Sequence, residues 1–411
     1  EADMNRRELV KSLLLAPFML NSSLRPAEAA VNDRVLVMVF MRGGWDGLNI
    51  IVPHGEDAYY SLRPSIGIKA PSSGSPQSAI DLNGFFGLHP AMAPLHPMFD
   101  EGQVAVMPAV HYDNSSRSHF TGQDIVESAS FAGVDSGWLG RYLKQAGGDP
   151  LVKAISLSDQ VPLSLSGLAT PVSAFSDISS LALAAGTLDQ TMIGSVLSKA
   201  YSWNLPVSNP NSTALRGVGS RLLDELHNLR TIGQMPAENG AAYPNSTFAR
   251  QLKQTAALIK ARAGLEVIAL NLSGWDTHSN QGGGEGRMSS LLATFSQSIS
   301  AFFTDLGSSA SRVLVLTASE FGRTAAENGS NGTDHGNATT WFAIGPAVRG
   351  GIHLGGGWPT LDKSRLVDGR ALAHTIDFRE VYAHVLSRFL GMSGVSSILP
   401  GCSGTQIDMV A

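Results

Sequence analysis

From Val35 to Met41 the chain reads Val-Leu-Val-Met-Val-Phe-Met, with no polar residue between. A strand with one wet face alternates apolar and polar residues, so an unbroken run of this kind is a strand covered on both faces. Three later runs share the character: GQVAVMPAV up to Val110, LEVIALNL up to Leu272 and RVLVLTA up to Ala318. Between them, TFARQLKQTAALIKAR and MSSLLATFSQSISAFFTDLG repeat apolar residues at helical spacing, and TIDFREVYAHVLSRFLG predicts a late helix. KAISLS and PLSLSG read as short strands of a hairpin. Strands that alternate with helices predict an α/β fold, layered α/β/α, with a mostly parallel central sheet. From about 195 to 262 the periodicity is helical and broken by NLPVSNPNS and QMPAENGAAYPN, which predicts a helical cap or insertion.

A chain of 411 residues has ample length for a large core, and its net charge of -5 includes no strongly basic stretch. Nucleic acid is therefore not an expected partner. Cys402 is the only cysteine, so neither an intrachain disulfide nor a multi-cysteine metal site can form. At the N-terminus, Arg6-Arg7 and Lys11 precede a short apolar run, Leu13 to Leu20, and AEAA follows at Ala27 to Ala30. That is the layout of an export signal over residues 1–30, with paired arginines of the twin-arginine type. It predicts a periplasmic or secreted protein, exported folded by the twin-arginine machinery. A mature α/β domain would then span 31–411, with no stable membrane insertion after cleavage, since the apolar run is too short to cross a bilayer.

The polar residues that close the apolar runs carry the functional signal. Asp46 follows the first strand in GGWDG, Asp276 and His278 follow the third in GWDTH, and Glu320 and Arg323 follow the fourth in SEFGR. Asp334-His335 then stands between glycines in the next loop. Ligands of open α/β sheets bind beyond the carboxyl ends of strands. Buried charges there are costly unless they are paired or bind something. Carboxylates and imidazoles together are the donors of a divalent metal site, giving Asp46, Asp276, His278, Glu320, Asp334 and His335 as candidate ligands for one or two ions of Zn, Mn or Ca. SSRSHFTGQD supplies Ser118 at a predicted helix start, a place that favours anions and a developing alkoxide. Ser115 and Ser116 are rival hydroxyls. Arg117 and Arg323 are candidate anion binders, and His119 is either a ligand or a satisfied helix residue. There is no GxGxxG after a strand and no GxSxG elbow, so a dinucleotide fold has no support in the sequence and an α/β-hydrolase is argued against.

FMRGGWDGLN, RSHFTGQD, GWDTH and SEFGR with NGSNGTDHG, in this order, resemble the motifs of the bacterial exported family known as domain of unknown function 1501. That family is placed in the alkaline phosphatase-like superfamily with phosphatases and sulfatases. The resemblance runs from about Arg34 to Leu390. It implies a sheet of the alkaline phosphatase-like type, with one or two metals at its strand ends and a hydroxyl nucleophile that cleaves phosphate or sulfate esters. Asp46 matches the acid after the first strand, Ser118 lies in the nucleophile segment, and Asp276 with His278 match a later ligand cluster. Two departures are visible. The superfamily's Asp-x-x-x-His is Asp-x-His here, and its strand-end Asp-His-Gly is replaced by Glu320-Phe321-Gly322, with Asp334-His335-Gly336 arriving only after the loop. No Cys-x-Pro-x-Arg is present, so formylglycine sulfatase chemistry is not expected. The expected function is a metal-dependent ester hydrolase. The alternatives are a non-catalytic binding or assembly protein on the same scaffold, or a metalloenzyme of redox or transfer chemistry.

Overall fold

The structure is a computed structural model that describes residues 33–147, 153–169, 172–180, 199, 227–402 and 407–411. The export-signal segment, and the 195–262 segment up to residue 226 apart from Lys199, lie outside the described residues.

The apolar runs form the strands they predict. The main sheet holds β1 (Val35–Arg42), β2 (Val104–His111), β3 (Ala154–Leu157), β4 (Ser173–Ala174), β5 (Val267–Ser273), β6 (Val313–Ala318), β7 (Thr339–Ile344), β8 (Gly351–Ile352) and β9 (Ile376–Asp377). Their order is β8-β2-β7-β6-β1-β5-β3-β4, and β9 also pairs with β2. All pairings are parallel except those of β7, which runs against both β6 and β2. β1 sits between β5 and β6, with Leu36 opposite Val267 on one side and Leu314 on the other. The fold is thus mixed α/β around a large, mostly parallel sheet.

Period-2 alternation sends successive side chains of β1 to opposite faces. Val35, Val37, Val39 and Met41 join a core with Phe248 and Leu252 of α3 (Thr247–Lys260) and Phe295, Ile299 and Phe302 of α4 (Arg287–Leu306). Leu36, Met38 and Phe40 join a second core. Its helices are α2 (Trp138–Ala146), through Trp138 and Tyr142, and α5 (Phe378–His384), through Phe378 and Tyr382. Each such fully buried side chain stabilises the fold by about 1.5–3 kcal/mol. Helices therefore cover both faces, which is why the strands carry no polar alternation.

Several elements differ from the sequence reading. PLSLSG makes a single 3-10 turn, Leu163–Leu165, and β3 has parallel partners, so there is no hairpin. The described end of the 195–262 segment is α3, which Ser246 caps by accepting from the Ala249 N–H at 3.0 Å. Ten of its residues are buried, among them Leu252, Ala256 and Ile259, so this part is a core helix of the sheet layer. The late helix is α-helical to His384 and continues as a wider π-helical turn, Val385–Phe389. Among the described residues no helix is long and apolar enough to cross a membrane.

Candidate functional site

Three neighbouring parallel strands, β6, β1 and β5, end side by side. Gly43 directly follows β1 with φ +117°, and a Cβ there would lie 2.6 Å from the Asp276 nitrogen. Only glycine lets the two strand ends approach this closely. Its N–H donates to Glu320 Oε1 at 2.8 Å, so the end of β1 is tied to the end of β6.

Arg323 ties all three ends. Its guanidinium donates to the carbonyls of Gly44 (2.5 Å), Trp275 (3.0 Å), Thr333 (3.2 Å) and Gly43, and to Asp276 Oδ1 at 2.6 Å. Buried, with its donors spent on backbone oxygens, Arg323 is a clamp between strand ends. The expectation that it binds a substrate anion is corrected.

The loop after β6 doubles back on itself. Gly322 donates to the Asn337 carbonyl (2.7 Å), Gly336 to that of Gly322 (2.8 Å) and Thr324 to that of Asp334 (3.0 Å), with Arg323 and His335 in an antiparallel bridge. A Cβ at Gly336 would lie 2.2 Å from the Arg323 carbonyl carbon and force the two arms apart. By this fold His335 returns to the strand ends.

α1 (His119–Ser128) brings the remaining imidazole. His119 and Gln123, four apart on one helical face, both reach Glu320 Oε1, at 2.8 and 3.0 Å. Three histidines now share one arrangement. Nδ1 of His119 meets Glu320, Nδ1 of His278 meets Asp334 Oδ1 at 3.1 Å, and Nδ1 of His335 meets the Arg117 carbonyl at 2.8 Å. A carbonyl or carboxylate oxygen accepts, which assigns the proton in each ring to Nδ1. All three Nε2 atoms surround Asp276, where each becomes a lone-pair donor once its ring is neutral. His278 Nε2 is 3.0 Å and His335 Nε2 3.3 Å from Oδ1, and His119 Nε2 is 3.5 Å from Oδ2. The ligand atoms of His119, Asp276 and His335 lie within 4.8 Å of one another.

Two observations suit this donor set to a cation. His119 Nε2 is buried without a hydrogen-bond partner among the described residues. His278 Nε2 and His335 Nε2 stand 3.0 Å apart, a separation that is met by a proton on one of the two nitrogens or, with both deprotonated, by a positive charge beside them. Tying the far nitrogen of a histidine to an oxygen is also how metal-binding imidazoles are oriented.

The charges are consistent with donors in their basic forms. Burial would raise Asp276, but the hydrogen bond and charge of Arg323, with His278 and His119 nearby, bring it down to about 2. Burial likewise opposes ionisation of Glu320, and its bonds from His119, Gln123 and Gly43 outweigh that and hold it below the usual carboxylate range. For Asp334 burial is outweighed by Asn328 and His278. Burial lowers His335, helped by the charges of Arg323 and His119. His119 is the exception: its bond to Glu320 raises it above an ordinary histidine.

Of the expected ligands, Asp276, His278 and His335 are brought together, and His119 joins them as a donor. Glu320 and Asp334 are placed one step back, each holding a histidine. Asp46 is not brought to the cluster. It is 1% exposed, and both its oxygens take Arg63, at 2.6 and 2.9 Å, while Oδ2 also accepts Gln281 Nε2 at 2.7 Å. Its place as a ligand is corrected: both carboxylate oxygens are already satisfied by a buried guanidinium. Ser118 occupies the N-cap position of α1 without a side-chain capping bond. Arg117, in a left-handed conformation at φ +55°, pairs with Asp368 at the rim. Arg370, missed in the sequence, lies 3.8 Å from Asp334 and is half-exposed. Nothing in its local sequence marks it. Gln123 was legible once His119 was placed on a helix.

The chain matches, over residues 33–398, the family model described as protein of unknown function (DUF1501), and it belongs to that family. No curated protein matches it.

Proposed function

We propose that this chain, a member of a family without an assigned reaction, is a metal-dependent hydrolase of phosphate or sulfate esters on an alkaline phosphatase-like scaffold. The observation that carries the reading is the convergence of three imidazole Nε2 atoms on Asp276, each ring held from behind by an oxygen. His119, His278, His335 and Asp276 would hold one divalent ion. A set rich in imidazole suits Zn or Mn better than Ca, which prefers oxygen ligands throughout.

When bound, such an ion polarises an ester oxygen and lowers the pKa of a hydroxyl beside it. The chain's own groups do the rest. Ser118 lies in the chain between Arg117, whose carbonyl holds His335, and His119, so its backbone is anchored on both sides next to the cluster. It is the nucleophile of choice over Ser115, whose Oγ accepts the Arg117 N–H at 3.3 Å, and Ser116, whose Oγ accepts that of Ser118 at 3.3 Å. The amide end of α1 favours the negative charge that develops there. Arg117 and Arg370 at the rim receive the anionic group. The substrate reaches the site from the open side, where Asp276 and His278 are 46% and 45% exposed. Export of the folded chain by its paired-arginine signal, to the periplasm or beyond, completes the proposal.

A second reading, a non-catalytic scaffold, is favoured by one contact: Arg323 already neutralises Asp276 at 2.6 Å. Elemental mass spectrometry of natively exported protein, with hydrolysis of p-nitrophenyl phosphate and sulfate by wild type and Ser118→Ala, separates the two. Bound Zn or Mn with turnover lost in Ser118→Ala supports the hydrolase. Metal-free protein that also refuses added Zn and Mn overturns it.

A further inference from the structure

We infer that the polar cleft beside the histidine cluster binds a carbohydrate unit, so that the ester cleaved is carried on a sugar. The inference rests on the hydrolase reading for the reaction, and on separate residues for the sugar.

The cleft has a volume of about 700 Å³, within the range of small-molecule sites. It adjoins the cluster through residues that hold Glu320. Gln123 lines it while donating to Glu320 Oε1 at 3.0 Å, and Arg42 lines it next to Gly43, whose N–H holds the same oxygen. Ser273, at the end of β5, leads to Asp276. What the walls offer is mostly uncharged hydrogen bonding. The Arg42 guanidinium is neutralised by Glu127 at 2.6 Å and spends other donors on Asn271 Oδ1 (2.9 Å) and Gln123 Oε1 (2.8 Å). That leaves the Asn271 amide NH₂, the Gln160 amide and the Asp159 carboxylate without side-chain partners among the described residues. The amides both donate to and accept from hydroxyl groups, and the carboxylate accepts from them. A free carboxylate also rejects a second anion, so the charged group belongs at the histidines and a neutral polyol belongs in the cleft.

Phe120 adds the apolar half of the recognition. It is 84% exposed, far more than a large aromatic gains from, and it follows His119 directly. Three residues before Gln123 on α1, it stands one turn from the cleft wall on nearly the same face. An exposed ring one helical turn from the amide of Gln123 matches a sugar ring, whose C–H face is apolar and whose rim is hydroxylated.

The test is calorimetric titration of the natively exported protein with cello-, chito-, manno- and xylo-tetraose and their O-sulfated forms, with a phosphoserine peptide as the competing class. At least one tetrasaccharide should bind, and Phe120→Ala and Asn271→Ala should each weaken it about tenfold with bound metal retained. Phe120 is exposed, so its truncation does not threaten folding. If tetrasaccharides bind but neither p-nitrophenyl ester is hydrolysed, the cleft assignment stands and the hydrolase reading falls. If the esters are hydrolysed but no tetrasaccharide binds, or only the phosphopeptide does, the carbohydrate inference is overturned. The same holds if sugar binding is indifferent to both substitutions.

Discussion

The tripeptide Gly-Trp-Asp occurs twice, as Gly44-Trp45-Asp46 after β1 and as Gly274-Trp275-Asp276 after its parallel neighbour β5. The two tryptophans are buried and meet edge to face, centroids 5.5 Å apart at 72°. Each aspartate also meets an arginine. Yet one acid is sealed in a bidentate pair with Arg63, and the other is half-exposed, shares Arg323 with four carbonyls, and faces three imidazoles. The same local sequence at adjacent strand ends thus meets the interior in one case and a half-exposed cluster of imidazoles in the other. What differs is what the rest of the chain delivers to it.

The comparison can be broken most severely at Asp276. Asp276→Asn should abolish turnover and metal retention while changing stability by less than about 1 kcal/mol, because the group is near the surface. Metal content and a urea midpoint measured together decide it, and retained metal would remove Asp276 from the site. The opposite profile is expected at the other acid. Arg63→Ala leaves the Asp46 carboxylate buried and unpaired and should cost about 3–5 kcal/mol in urea unfolding. A loss below about 1 kcal/mol would show that the pair is not structural.

The interior region should also be the acid-sensitive one. His89 lies near Asp46, its Nε2 donating to the Gly283 carbonyl at 3.1 Å and its Nδ1 accepting from the Ala91 N–H. Burial lowers it from 6.5 to about 4. Because the folded value lies below the unfolded one, the unfolded chain takes up the proton first as pH falls. Stability from this group is complete above pH 6.5 and is lost toward pH 4, by about 3 kcal/mol in all. Comparing the pH slopes of wild type and His89→Gln isolates that contribution, and identical slopes would refute it. The mildest effect is expected at Glu320. Glu320→Gln weakens the orientation of His119 and should reduce metal affinity about 10–100-fold with the site otherwise intact. Unchanged affinity in a competition titration would mean that the bond does not position the imidazole.

The central strands, and the gathering of polar residues at their ends, were legible because both follow from burial. An unbroken apolar run has one environment available to it, and charges at its end have few. The division of labour among those charges was not legible. Nothing in GGWDG says that Arg63, which follows the short helix Asp57–Leu62, will reach Asp46 first. Nothing in DHG says that Asp334 will turn to a histidine of another loop. Those outcomes depend on which atom faces which across distant segments. β7 was missed altogether: Thr339-Thr340-Trp341 opens with two hydroxyls, and its fully buried, reversed setting is fixed by β2 and β6 rather than by its own composition.

Because β7 runs against its neighbours, the chain leaves the sheet at Ala318 and re-enters it at Thr339 on the same end. A parallel successor would have carried the chain back across the sheet through a crossover. Residues 319–338 are instead a closed hoop, anchored at both ends where the chemistry would occur. Its ends therefore need no re-threading of the sheet, and its middle is pinned from inside by Arg323, so a change of its length would act on the strand ends and the histidine cluster together.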